Sequence, residues 1–233
     1  MIEYGSMKAI IEKILASLVG TGIHLLHNRK TYKFAREEIR YLRFSFSQFG
    51  EDIGLERWFE EFFHIQKGVY VDAGAFHPIH CSNTLLLHKK GWHGVSIDMN
   101  ADKIAVFNAL RPSDLNICAA VSNVSGMARA LHSGLVEEMV IDPNGDIPVR
   151  TLDDILAQTG FRQIDYLNID CEGHDYDALR SIDLDLYQPK IITIEALGAE
   201  ASSRIGSYLA SKGYTFEEKF HFTLLFVRRK PAV

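Results

Sequence analysis

The stretch NIDCEGHD, residues 168–175, places three carboxylates, a thiol and an imidazole within six positions, just past an apolar run that begins at Tyr166. Such a crowd suits a metal site, an acid/base site, or a strand ending in the caps of the next helix. Extended residues alternate faces, so Asp170 and Glu172 start from one side and His174 can join them beyond the Gly173 turn. These three are the candidate catalytic groups, since a carboxylate or imidazole within hydrogen-bond reach of a hydroxyl can take its proton. Carboxylates at strand ends are costly to bury unpaired, which favours a functional reading of the two acids. His174 stays open between base or ligand and structural hydrogen-bonder. Cys171 points opposite Asp170 as a small buried hydrophobe. Asp175 reads as a cap or first-turn acid, favoured there by the helix dipole.

A second cluster, VDAGAF at 71–76, sets Asp72 at the end of an apolar run and small residues where the chain turns. Gly74 has no side chain, so a ligand can approach the main chain there. Asp98 ends the next apolar run, where a carboxylate can accept both hydroxyl protons of a ribose. The pair reads as a nucleoside site. A pyrophosphate would want a GxGxxG turn at a helix N-terminus. Only Gly74 is present, Phe76, His77 and Pro78 fill the space where a diphosphate would pass, and no GxxxxGK[ST] loop appears. S-adenosylmethionine, an adenosine without phosphate, suits a one-glycine turn better. His77 and His80 lie in the loop over the same face and are candidates for lining an acceptor pocket.

These groups need elements to hold them. GVYVDAG, HGVSIDMN, DLNICAAVS, DYLNID and PKIITIE read as five strands, interleaved with helices over SNTLLLHKKG, ADKIAVFNALRP, RTLDDILAQTG, HDYDALRSID and EASSRIGSYLASKG. Ser82 or Asn83 caps the first of these helices, Thr151 the third, and Pro112 stops the second. Alternation of this kind predicts an α/β fold, a mostly parallel doubly wound sheet. YTFEEKF and FTLLFVRR follow in succession and predict an antiparallel C-terminal edge, with the RRK charges solvating an edge strand. Ligand sites in such sheets lie beyond the carboxyl ends of the strands, so Asp72, Asp98, Ser122, Asp170 and Glu195 become candidates together. Ahead of the sheet, Ile53, Trp58, Phe59, Phe62 and Phe63 can share one helix face. Residues 123–150 look irregular around the Asn144–Gly145 turn and read as surface loops that form an acceptor pocket.

A length of 233 residues suits one domain with an appendage. The formal net charge of −5 argues against a nucleic-acid binder. Cys81, Cys118 and Cys171 form no CxxC pair, so neither a disulfide framework nor a structural zinc site is expected, and a reducing, cytoplasmic setting is the simpler reading. Residues 1–44 read as an N-terminal helical appendage, with Ile10, Ile11, Ile14, Leu15, Leu18, Val19 and Leu26 at a helical period. The uncharged run is short and broken by Gly20, Gly22 and His24, which argues against a membrane span. The helix instead packs on the domain, on a second copy of the chain in a homodimer, or on the inner membrane surface, helped there by Arg29, Lys30, Lys33 and Arg36.

With SQFGED (47–52), VDAGAFHP (71–78), SNT (82–84), GWHGVSIDMN (91–100), TLDDIL (151–156) and NIDCEGHDYDAL (168–179) in this order, the sequence resembles the FkbM-type S-adenosylmethionine-dependent methyltransferases. FHPIHCSNT replaces a second glycine-rich step and resembles a subgroup linked to bacterial surface-sugar genes. The resemblance implies a Rossmann-like class I methyltransferase domain over 45–233. It implies a cofactor held against Asp72, Gly74 and Asp98, with Ala73, Ala75, Met99 and Ala120 around it and Gln48 closing over it. It also implies O-methylation of a sugar hydroxyl, and a metal such as Mg²⁺ or Mn²⁺ held by the acids Asp170 and Glu195. Oxygen-rich ligand sets favour Mg²⁺, Ca²⁺ or Mn²⁺, whereas an imidazole shifts preference towards Mn²⁺, Fe²⁺ or Zn²⁺. Two other readings stay open: a nicotinamide-dependent oxidoreductase, opposed by the missing glycines, and a non-catalytic binding or assembly module.

Overall fold

The computed structural model describes residues 24–27, 30–33, 38–133 and 136–229. The chain divides into two units, 1–44 and 45–233. In the first, His24–His27 (β1) and Lys30–Lys33 (β2) pair antiparallel, and Glu38–Tyr41 forms a short 3₁₀ turn. Leu26, counted above in the helical period, thus lies in a strand; the rest of the expected helix lies outside the described residues.

In the second unit the five apolar runs become strands, four of them covered on both faces and the fifth a half-buried edge. Val69–Ala73 (β3), His93–Asp98 (β4), Leu115–Cys118 (β5), Tyr166–Ile169 (β10) and Ile191–Glu195 (β11) are parallel. Antiparallel Thr223–Arg228 (β13) and Tyr214–Phe220 (β12) complete the order β12-β13-β11-β10-β3-β4-β5. Val71, Ile97, Leu167, Ile169 and Ile192 join one buried cluster, while Tyr70, Tyr166, Ile191 and Leu225 from the same strands join another on the opposite face. That two-sided burial is why these strands read as continuous apolar runs rather than alternating ones.

Several helices start where a side chain satisfies a first amide. Asn100 accepts from Asp102 and Lys103 ahead of Ala101–Leu110 (α3), and Thr151 from Asp154 ahead of Leu152–Ala157 (α4). Ser82 Oγ accepts from Leu85 N at the start of Leu85–Lys89 (α2). Glu51–Arg57 (α1) continues into a wider turn at Trp58–Phe62. Of the five residues expected to share a face, Phe59 is buried, Ile53, Trp58 and Phe63 are half-buried, and Phe62 is exposed beside the Trp58 ring; Leu55, outside that set, is buried. Asp175–Arg180 (α5), Leu184–Tyr187 (α6) and Gly198–Ser211 (α7) complete the helices. Among the described residues no helix is long and apolar enough to cross a membrane.

Three expectations need correction. DLNICAAVS is two strands: β5 stays in the main sheet and Ala120–Val121 (β6) leaves it. Residues 123–150 are not loops. Gly126–Ser133 (β7), Val136–Ile141 (β8) and Ile147–Arg150 (β9) form a second sheet with β6, ordered β6-β9-β7-β8, and Ala120, Ala128, Met139 and Val149 pack as its core. Their apolar residues fall in adjacent pairs, such as Met127–Ala128, Ala130–Leu131 and Val140–Ile141, rather than alternating, so period-two patterning is faint. Finally, the expected antiparallel C-terminal edge is present, but β12 forms it, and β13, which carries Arg228, lies inside it. Arg228 donates to Leu184 O and lies over the Tyr214 ring, so it is half-buried rather than solvated.

Candidate active site

One cavity at the carboxyl ends of the parallel strands is lined by Gln48, Asp72, Gly74, Ala75, Asp98, Met99, Ala120, Asp170, Glu172 and His174. Ala73 is fully buried in β3, and His77 and His80 do not line this cavity. Ser122, buried after β6, donates its amide to Arg150 O in the second sheet and is not a lining residue.

The turn after β3 is built by hydrogen bonds that consume its amides. Gly74 N and Ala75 N both donate to Ile97 O, Phe76 N to an Asp98 oxygen at 2.9 Å, and His77 N to Ala75 O. Gly74 sits at φ +79°, and a Cβ there would fall 1.6 Å from the Asp170 carbonyl oxygen. The two sequence clusters therefore touch backbone to backbone, which only glycine permits. Asp98 also accepts from Asn100 N at 2.8 Å and has Lys103 Nζ at 3.9 Å, while Lys103 lies over the Phe76 ring. In the next loop His77 Nδ1 accepts from Ile79 N and His80 N, and the two imidazoles stack.

Asp72 is buried, with Thr84 Oγ1 donating to one carboxylate oxygen at 2.7 Å and Asn168 Nδ2 to the other at 2.8 Å. Burial pushes its carboxyl up, against the pull of those bonds. Asn168 Oδ1 in turn accepts from Asn83 and Thr193. Arg111, 1 % exposed, donates to Thr84 Oγ1, Ser82 Oγ and Pro78 O, so a buried cation braces the loop that leads from Phe76 to Thr84. The sequence reading assigned no role to Asn168, Thr84 or Arg111, and offered Asn83 only as a helix cap. Arg111 carries no local signal, because it merely precedes the proline that stops α3.

On the other wall β10 ends at Ile169, so strand alternation does not place Asp170 and Glu172. Glu172 is exposed in the left-handed region at φ +49°, followed by Gly173 at +90°. Asp175 is buried and its carboxylate clamps that turn, accepting from Cys171 N at 2.7 Å and Gly173 N at 3.1 Å. Cys171 packs against the main core, and burial pushes its thiol well up. His174 Nε2 lies 3.1 Å from Met139 O. A carbonyl only accepts, so Nε2 carries the proton and Nδ1 holds the lone pair of the neutral ring.

Asp170, Asp175 and Glu195 each bring a carboxylate oxygen within 4.8 Å of the other two. Burial first and Glu195 second raise the Asp170 carboxyl to about 8, and burial raises Glu195 to about 7. Glu195 Oε2 is buried and has no hydrogen-bond partner among the described residues. Two protonatable acids, one of them carrying an orphaned oxygen, thus face each other at neighbouring strand ends, an arrangement that takes a proton or a cation.

A family model described as the methyltransferase FkbM domain matches residues 72–216, more than half of the chain, from Asp72 of β3 into β12. A search of the curated proteins finds no significant match. The matched span contains the turn at Gly74, Asp98, the Asp170 wall and Glu195, and on that match the chain belongs to the FkbM methyltransferase family.

Proposed function

We propose that the protein is an S-adenosylmethionine-dependent O-methyltransferase acting on a sugar hydroxyl. The observation that carries this reading is the order of groups along one sheet edge. Asp98, Asp72 with Gly74, Asp170 and Glu195 end four adjacent strands, β4, β3, β10 and β11. The Asp98 carboxylate accepts from the backbone amides of Phe76 and Asn100, which fixes it at the cavity wall where a ribose is recognised in such folds. The amides of the Gly74 turn are spent internally, so the turn offers no cradle for a pyrophosphate and favours an unphosphorylated nucleoside over a nicotinamide dinucleotide. The place a Gly74 Cβ would need is taken by the Asp170 carbonyl, so the nucleoside turn and the Asp170 wall meet directly.

Bound S-adenosylmethionine supplies a methyl group on a positively charged sulfur that leaves as a neutral thioether. The chain's task is to hold the acceptor oxygen in line and take its proton. Asp170 accepts that proton as the oxygen–methyl bond forms, since its raised basicity suits a weakly acidic hydroxyl better than an ordinary carboxylate does. Glu195 accepts a hydrogen bond from the acceptor, and His174, through Nδ1, is the second base within the same cavity.

A second reading adds a divalent cation. The oxygen-only set Asp170, Asp175 and Glu195, with its orphaned Glu195 oxygen, fits Mg²⁺ or Mn²⁺. Such an ion would stabilise the alkoxide. Calorimetry with S-adenosylmethionine, S-adenosylhomocysteine and NAD tests the main reading; binding of NAD but of neither sulfur nucleoside refutes it. Loss of turnover after EDTA and its return with Mg²⁺ or Mn²⁺ supports the cation, and full turnover after chelation dismisses it.

A further inference from the structure

Next to the proposed transfer site stands a group of exposed rings. Phe49, 40 % exposed, lies 4.6 Å from the His221 ring and 6.3 Å from that of Phe222, which is 42 % exposed; His221 and Phe222 lie 3.8 Å apart. Water-facing aromatics cost free energy unless something covers them. Here buried polar groups hold them in place. Glu51, 1 % exposed, accepts from Phe49 N with one carboxylate oxygen and from Thr223 Oγ1 with the other. One buried carboxylate thereby clamps together the strap that carries Phe49 and the hairpin that carries Phe222. The hairpin turn also puts His221, a non-glycine residue, at φ +52°, backbone strain of a kind that clusters at functional sites.

The position is specific. Phe222 O accepts from Ala196 N, and Thr223 pairs with Glu195, so the rings extend the sheet edge one strand past Glu195. Gln48, the neighbour of Phe49, lines the cavity itself. From Asp170 to Phe222 is two strand spacings, roughly 10 Å, room for one pyranose and the substituent it carries. The rings are inclined to each other at 53° to 79°, so a planar molecule can lie flat on only one of them. A chair-shaped ring, with C–H bonds on its face and along its rim, meets several.

We infer that Phe49, His221 and Phe222 form the acceptor subsite, seating the C–H face of a pyranose with its reacting hydroxyl turned towards Asp170 and Glu195. The inference rests on the sugar methyltransferase reading and sharpens it. Its test is saturation-transfer NMR on the full chain loaded with S-adenosylhomocysteine, with methyl α-D-glucopyranoside, methyl α-L-rhamnopyranoside and catechol as probes. At least one pyranoside is expected to receive saturation at its ring C–H protons. Phe222→Ala and Phe49→Ala should weaken that binding roughly three- to tenfold. Phe216→Ala, which removes an exposed ring from β12, should leave it unchanged. Binding of S-adenosylhomocysteine by every variant, measured first, separates loss of the subsite from failure of the cofactor reading. Pyranoside binding insensitive to both phenylalanines overturns the inference. So does saturation of catechol alone, or of no probe, on protein that holds S-adenosylhomocysteine.

Discussion

Replacing Gly74 by alanine probes the contact on which the site is built. Two costs arise. The residue sits at φ +79°, and an L-residue in the left-handed region loses roughly 1–2 kcal/mol. The new methyl carbon would also lie 1.6 Å from the Asp170 carbonyl oxygen and 2.6 Å from its carbon. That clash is with backbone, so relief requires strand ends to separate, an overpacking cost of roughly 1–3 kcal/mol. The total is about 2–5 kcal/mol. Gly173 provides the control: at φ +90° it meets nothing within 4 Å, so Gly173→Ala should cost only the first part, about 1–2 kcal/mol. Urea unfolding of both variants measures the difference, and calorimetry with S-adenosylhomocysteine should show cofactor affinity at least roughly tenfold weaker for Gly74→Ala alone. Equal destabilisation of the two variants, with equal cofactor affinity, would refute the claim that this backbone contact sets the cavity.

Asp170→Asn should lower kcat by roughly 10²- to 10⁴-fold with cofactor affinity nearly unchanged, whereas Asp98→Ala, which also strands the amides of Phe76 and Asn100, should act mainly on cofactor affinity; if both variants lost affinity alone, the division of labour would be wrong. Asp170 and Glu195 titrate near 4 when unfolded but at about 8 and about 7 when folded, so between those limits the folded chain holds more protons and its stability falls as pH rises. Thermal midpoints from about pH 5 to about pH 8.5 should show this decline and should flatten in Asp170→Asn; a wild-type profile that rises across the range would contradict it. Turnover should climb over the same range as Asp170 loses its proton, and a single-turnover pH profile reads that directly. Arg111→Met removes donors to Thr84, Ser82 and Pro78 and should destabilise by about 3 kcal/mol or more; denaturant midpoints indistinguishable from wild type would show the brace to be idle.

The main sheet was legible because its strands are buried on two sides. Val71 and Tyr70 go to opposite clusters, so the whole run is apolar and bounded by turns. Strand ends then named Asp72, Asp98, Asp170 and Glu195 through topology alone. The second sheet was not legible, since β7 and β8 bury little beyond Ala128 and Met139 and alternate weakly. Nor did the spacing rule explain Asp170 and Glu172: the strand stops one residue earlier, and the pair reach the cavity through a left-handed turn clamped by Asp175. The network about Asp72 was invisible for another reason. Asn168 and Asp72 are register partners on adjacent strands, 96 residues apart in the chain. A side-chain pairing of that range leaves no mark on local composition.

The excursion through β7 and β8 leaves and returns at adjoining points, because β6 and β9, which flank it, are parallel neighbours. Insertions in the β7–β8 hairpin therefore need not disturb the register of the five catalytic strands. Its reach to the cavity runs through Met139, whose carbonyl is met by His174 and whose side chain forms part of the lining. The fold thus separates the carboxyl edge of the main sheet from a second sheet that closes one side of the cavity through Ala120, Val121 and Met139.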